Sequence, residues 1–106
     1  MITTDDIIEA NKVFINEHKP KPSLGSSLSS YMYYATIEER ITSIVYGIIQ
    51  NHSFIDANKR TAVLILYYLA EENNLKLNSD DVIFDVAVGI ASKKYSFEEA
   101  VSKIFK

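Results

Sequence analysis

Both prolines of this chain, Pro20 and Pro22, and one of its three glycines, Gly25, fall between residues 20 and 30, together with five serines. Proline and glycine are the strongest local interruptions of regular structure, so this stretch is the main irregular segment and the rest is free to be helical. The spacing of apolar residues agrees. Thr36-Ile37-Glu38-Glu39 has the form of a capping box, and Ile37, Ile41, Ile44, Val45 and Ile48 fall on one stripe of a helix that ends near Asn51. An earlier helix starts at Thr3-Thr4-Asp5-Asp6, carries Ile7, Ile8, Val13 and Phe14, runs to about His18, and is stopped by Lys19-Pro20-Lys21-Pro22. A third runs from about Asn58 to Asn73. Its segment Ala62 to Ala70 is apolar on every side, which predicts the central helix of a bundle. Asn78-Ser79-Asp80-Asp81 opens a fourth, to about Ser92, and Ser96 with Glu99 forms a second capping box for a terminal helix with Phe97, Val101, Ile104 and Phe105. Tyr31-Met32-Tyr33-Tyr34 favours an extended conformation, because aromatics fit a pleated chain. The expectation is a small all-α bundle, one domain over residues 1–106.

Charge and composition limit what such a bundle does. With 11 basic against 14 acidic residues and a net charge of −3, the surface lacks the positive field that phosphate-backbone binding requires, so direct nucleic-acid binding is disfavoured. Any phosphate chemistry has to be local. The absence of cysteine removes disulfides, thiol nucleophiles and cysteine-ligated zinc together, and fits a reducing compartment. The nine apolar residues from Ala62 to Ala70 are about half of a membrane span. The N-terminus is acidic, without the charged-then-apolar pattern of a secretory signal. The expected setting is the cytoplasm, away from membranes.

The chemically loaded segment is Asn51-His52-Ser53-Phe54-Ile55-Asp56-Ala57-Asn58-Lys59-Arg60-Thr61, which puts a base, a carboxylate, amides and two cations between two helices. A loop that ends at a helix start leaves unpaired backbone N–H groups which, with the helix dipole, make an anion site. Lys59 and Arg60 place full positive charges in that first turn, where a helix by itself prefers acids. An anion is the natural counterpart of such an arrangement. His52, with an ordinary pKa of about 6.5, is suited to take a proton from an attacking hydroxyl, and Asp56 offers hard oxygen to magnesium. Each feature alone has an ordinary structural explanation; their conjunction at one helix entrance favours function.

The stretch His52-x-Phe54-x-Asp56-Ala57-Asn58-Lys59-Arg60 resembles the signature loop of the Fic/Doc superfamily. It is closest to the Doc, or death-on-curing, toxin branch, in which Ala and Lys stand where typical Fic proteins have two glycines. The resemblance implies a small helical bundle with the loop between two core helices. It implies that His52 is the general base toward a protein hydroxyl, that Phe54 anchors the loop, that Asp56 binds magnesium, and that Ala57, Asn58, Lys59 and Arg60 hold the phosphates of ATP. The segment from about Ser26 to Tyr34 stands where the family carries a flap that pairs with the target's backbone.

Two departures bear on the reaction. Nucleotidylating Fic proteins have a second arginine three positions after the first, and this chain has Val63; they have glycine where this chain has Lys59. Both changes are shared with the Doc branch, whose members pass the γ-phosphoryl group of ATP to a threonine of elongation factor Tu and halt translation. The implied catalytic set is His52, Asp56, Lys59 and Arg60, with ATP and magnesium as cofactors. The alternatives are transfer of a nucleoside monophosphate, as in AMPylation, and a non-catalytic binding module. No helix has the self-inhibitory pattern of a hydroxyl residue four positions before Glu: Glu72-Asn73 is preceded by Tyr68. Silencing is therefore expected from an antitoxin protein in trans. Outside the loop, His18, Tyr67, Tyr68, the Tyr31 to Tyr34 aromatics and the Lys93-Lys94 pair read as structural.

Overall fold

The computed structural model describes residues 5–8, 34–50 and 58–106. Four helices have defined bounds, α1 Ile37–Gln50, α2 Asn58–Glu72, α3 Asp80–Ala91 and α4 Phe97–Ile104, and residues 5–8 are also helical. Among the described residues there is no strand, and the result is a small all-α bundle as expected. The only sheet-like feature among them is an isolated antiparallel bridge between Leu77 and Phe105. Flanking bonds from Asn78 N–H to the Ile104 carbonyl (2.8 Å) and from Lys106 N–H to the Lys76 carbonyl (3.0 Å) tie the α2–α3 connection to the end of the chain.

The helix starts are built as their residues predict. At α1 the Thr36 hydroxyl accepts from Glu39 N–H at 3.1 Å, and the Glu39 carboxylate accepts from Thr36 N–H at 3.3 Å and from its hydroxyl at 2.9 Å. At α4 Ser96 accepts from Glu99 N–H at 3.2 Å while Glu99 accepts from Ser96 N–H at 3.0 Å. Two orphan donors are thereby satisfied at each end. These bonds also hold the Glu99 carboxyl below its ordinary range, the Ser96 backbone N–H being the largest cause.

The helix ends share one solution. After α2, Asn74 has φ 55°, its N–H donates to the Glu71 carbonyl, and Leu75 N–H donates to the Ala70 carbonyl. After α3, Lys93 has φ 62°, its N–H donates to Ile90, and Lys94 N–H donates to Gly89. Both are Schellman motifs, which need a left-handed residue at the position after the cap. Asn tolerates that conformation; Lys does so at a cost. Lys93→Gly is therefore expected to raise stability by about 1 kcal/mol, or roughly 4–8 °C in melting temperature. Thermal unfolding followed by circular dichroism reads this directly, and an unchanged or lower melting temperature would contradict it.

Packing corrects one expectation. Among the described residues α1 and α3 each pack on all the other helices, whereas α2 packs on α1 and α3 but not on α4. Nor is α2 enclosed on every side: Leu64 is 36% exposed and Tyr68 53%. An all-apolar run signals burial only when neighbours exist on every side, and here one face of α2 opens to solvent. The core is a set of isoleucines and leucines: Ile41, Ile44, Ile48 and Ile49 of α1, Leu66 and Leu69 of α2, Ile83 and Ile90 of α3, Ile104 of α4, and Ile7 ahead of them. Each fully buried side chain of this size contributes about 1.5–3 kcal/mol. The buried hydroxyls of α1 are satisfied within their own helix, Thr42 donating to the Glu38 carbonyl at 2.8 Å and Ser43 to Arg40 at 2.7 Å.

The last two helices are locked by Tyr95. Its ring lies so close to α3 that a Cβ at Gly89 would sit 2.2 Å from the ring's Cδ2, so glycine is required there. The Tyr95 hydroxyl donates to Asp85 at 2.6 Å, and the ammonium groups of Lys94 and Lys103 lie 5.2 and 5.0 Å from the ring centre. Asp85 raises the phenol above its ordinary pKa, chiefly through that hydrogen bond. Tyr34 stacks on Phe97 with centroids 4.7 Å apart, and Tyr46 meets the same ring edge-on at 5.8 Å. Tyr34 is thus a packing residue, as read from the sequence; Tyr31, Tyr33 and His18 lie outside the described residues, as does most of the Ser26 to Tyr34 segment.

Candidate functional site

The end of α1 and the start of α2 frame the loaded segment. Of its residues, Asn58, Lys59, Arg60 and Thr61 are described, while His52, Phe54, Asp56 and Ala57 lie outside the described residues. Thr61 is fully buried and Asn58 half-buried, so they root the first turn in the bundle; Lys59 and Arg60 are exposed. This partition follows from helical geometry, since α2 presents Thr61, Ala62, Ile65, Leu66 and Leu69 inward. Its N-terminus then shows solvent two neighbouring cations.

Comparison with the other helices makes these cations unusual. The first turns of α1, α3 and α4 hold Glu38 and Glu39, Asp80 and Asp81, and Glu98 and Glu99, whereas α2 has no acid there. Three helices therefore complement their dipoles and one opposes it. The third basic residue between Pro22 and Lys76, Arg40, is committed to structure: its Nε donates to the Tyr34 carbonyl at 2.7 Å. Neither Lys59 nor Arg60 is engaged in an ion pair among the described residues.

Beside Arg60 a cleft of about 260 Å³ opens between α2 and α3, lined by Arg60, Val63, Leu64, Tyr67 and Phe84. The α2 members stand at successive positions of one helical face, so the guanidinium lies at one end of an apolar wall. Val63, where the nucleotidylating proteins carry arginine, contributes only methyl groups to that wall. Phe84, 56% exposed, closes the cleft from α3. The sequence reading gives α3 only its start and end and passes over Phe84; the signal available was Phe84 with Val88 four residues on, two large apolar side chains that the fold leaves exposed.

The far end of the cleft is polar and fixed. The Tyr67 hydroxyl donates to the Asp80 carboxylate, and that hydrogen bond, with burial and the carboxylate's charge, pushes the phenol from 10.0 up to about 12. Tyr67 is a structural aromatic with a satisfied hydroxyl, as expected. Tyr68 is likewise raised, chiefly through a hydrogen bond to Glu72. A raised phenol favours the folded state while the group is protonated. The Tyr67 contribution is therefore complete below about pH 10 and lost as pH climbs toward 12. The difference in melting temperature between the parent chain and Tyr67→Phe should be constant from pH 7 to 9 and shrink above 10; a gap that persists at pH 12 would contradict the assignment.

The opposite anchor of the segment is held by Gln50, the last residue of α1, whose side-chain amide donates to the Ile90 carbonyl near the end of α3 at 2.6 Å. The α1 and α2 helices that carry the segment pack along each other, so its ends are positioned by the most extensive interface of the bundle.

Residues 20–70 match the Fic/DOC family, a span that covers the loaded segment and nearly all of α2. The match is a likeness to that family over just under half of the chain. No curated protein matches the chain. Among the described residues no helix is long and apolar enough to cross a membrane.

Proposed function

We propose that this chain is a Doc-type phosphotransferase that passes the γ-phosphoryl group of ATP to a Thr or Ser hydroxyl of a protein, elongation factor Tu by resemblance, and is silenced by an antitoxin protein in trans. The observation that carries this reading is the start of α2, where two exposed cations stand without an acid in the turn. Such a site suits the clustered negative charge of a polyphosphate. The superfamily match adds the reaction class.

In this reading Lys59 and Arg60 hold the phosphates against the helix N-terminus, with the backbone of Ala57 and Asn58 completing the cradle. The target oxygen attacks the γ-phosphorus, the bond from that phosphorus to the β–γ bridging oxygen breaks, and ADP leaves. The hydroxyl proton passes to the imidazole of His52. Asp56 would hold magnesium, which suits a hard carboxylate and, when bound, neutralises phosphate oxygens. Phe54 anchors the loop. An apolar Val63 supports γ-transfer over nucleotidyl transfer, because the adjacent wall offers a second phosphate no donor.

The test is incubation of the purified chain with elongation factor Tu and ATP labelled at either the α- or the γ-phosphate. Label from the γ-position, lost with His52→Ala, is the expected result. Retention from the α-position alone would establish nucleotidyl transfer instead, and no label from either with a folded protein would favour a binding module.

A further inference from the structure

A second groove lies at the other end of α1, where the first turns of α1 and α4 meet. It encloses about 420 Å³ and is lined by Phe97, Val101 and Phe105 on its floor and by Glu38, Glu39 and Glu98 among its rim residues. Three of its eight lining residues are acidic and none is basic. The charge is not all spent on the fold. Glu39 is used in the capping box with Thr36, but no hydrogen bond within the described residues occupies the carboxylates of Glu38 and Glu98. The floor is not closed either: Phe97, Val101 and Phe105 are each half-buried. Phe97 and Val101, one helical turn apart on α4, with Phe105 just past its end, form a short apolar row of the kind that takes one face of a partner helix.

We infer that this groove is a docking surface for a cationic amphipathic segment of another protein, one that lays apolar side chains on Phe97, Val101 and Phe105 with Lys or Arg facing Glu38 and Glu98. Charge complementarity selects this occupant, since an acidic segment would meet three carboxylates. The surface is independent of the phosphate site: α4 does not touch α2, and the 14 residues of α1 separate the two by about 20 Å. A partner seated there leaves Lys59 and Arg60 accessible.

The probe is a fluorescein-labelled 14-residue peptide with Leu along one helical face and Lys elsewhere, paired with a twin carrying Glu in place of Lys, and binding is read by fluorescence anisotropy. Saturable binding of the Lys peptide and none of the Glu twin is expected. Glu38→Gln with Glu98→Gln should weaken it about fivefold. The control Glu71→Gln with Asp81→Asn removes the same charge elsewhere on the surface and should leave it unchanged. Val101→Ser, with helix content confirmed by circular dichroism, should weaken binding at least as much as the double rim variant. Equal loss with the control pair, or equal binding of the Glu twin, would overturn the proposal. Self-association in sedimentation that the rim pair abolishes would also overturn it, in favour of a second copy of this chain.

Discussion

Arg60→Ala is expected to lower phosphoryl transfer by about 10²–10³-fold while leaving the melting temperature within the equivalent of about 0.5 kcal/mol. The two halves of this expectation have separate grounds. Arg60 is exposed, stands in the first turn of a helix rooted by Asn58 and Thr61, and is engaged in no ion pair among the described residues, so removing it leaves no buried group unpaired. Its charge opposes the α2 dipole, so its loss relieves a small repulsion. A residue that the fold tolerates and does not need is positioned for something outside the fold. His52→Ala should remove about 10²–10⁴-fold by loss of the general base. Steady-state transfer rates with labelled ATP, measured beside a thermal melt, separate the outcomes. Activity of Arg60→Ala within threefold of the parent would remove Arg60 from the phosphate site.

Ile44→Ala should cost about 2–5 kcal/mol, a large share of the roughly 5–15 kcal/mol that stabilises a domain of this size, and lower the melting temperature by at least about 10 °C. Ile44 is completely buried in a helix that packs on the other three, so the cavity opens in the middle of the bundle and little can collapse into it. Leu64→Ala, on the solvent face of α2, is the matched comparison, since Leu64 is 36% exposed and truncation there leaves no closed cavity. Its cost should stay under about 1 kcal/mol. Denaturant unfolding of both variants reads the difference; equal losses would mean that the Leu64 face of α2 is as enclosed as the middle of α1.

That contrast marks where sequence pattern was informative and where it was not. Capping boxes at Thr36 and Ser96 were legible because the chemistry that starts a helix is local, a hydroxyl and a carboxylate three residues apart. The isoleucine stripe of α1 was legible for the same reason. Which helix occupies the middle was not, because centrality depends on neighbours, and the run from Ala62 to Ala70 reads the same whether three helices surround it or two. At the candidate site, Lys59 and Arg60 stand out in sequence as misplaced charges, and the structure puts both on the surface as that reading requires. The cleft behind Arg60 was illegible, since Phe84 reaches it from another helix and no spacing rule joins residues 60 and 84. His52, Phe54, Asp56 and Ala57 rest on the motif alone.

The hydrogen bond from Gln50 to the Ile90 carbonyl couples one shore of the candidate site to the far side of the bundle. One shore, the end of α1, is moored by a side chain to the end of α3, which Tyr95 in turn clamps through Gly89 and Asp85. The other, the start of α2, is rooted by the buried Thr61 and Ala62. Arg60 stands on that second shore, at one end of the apolar cleft.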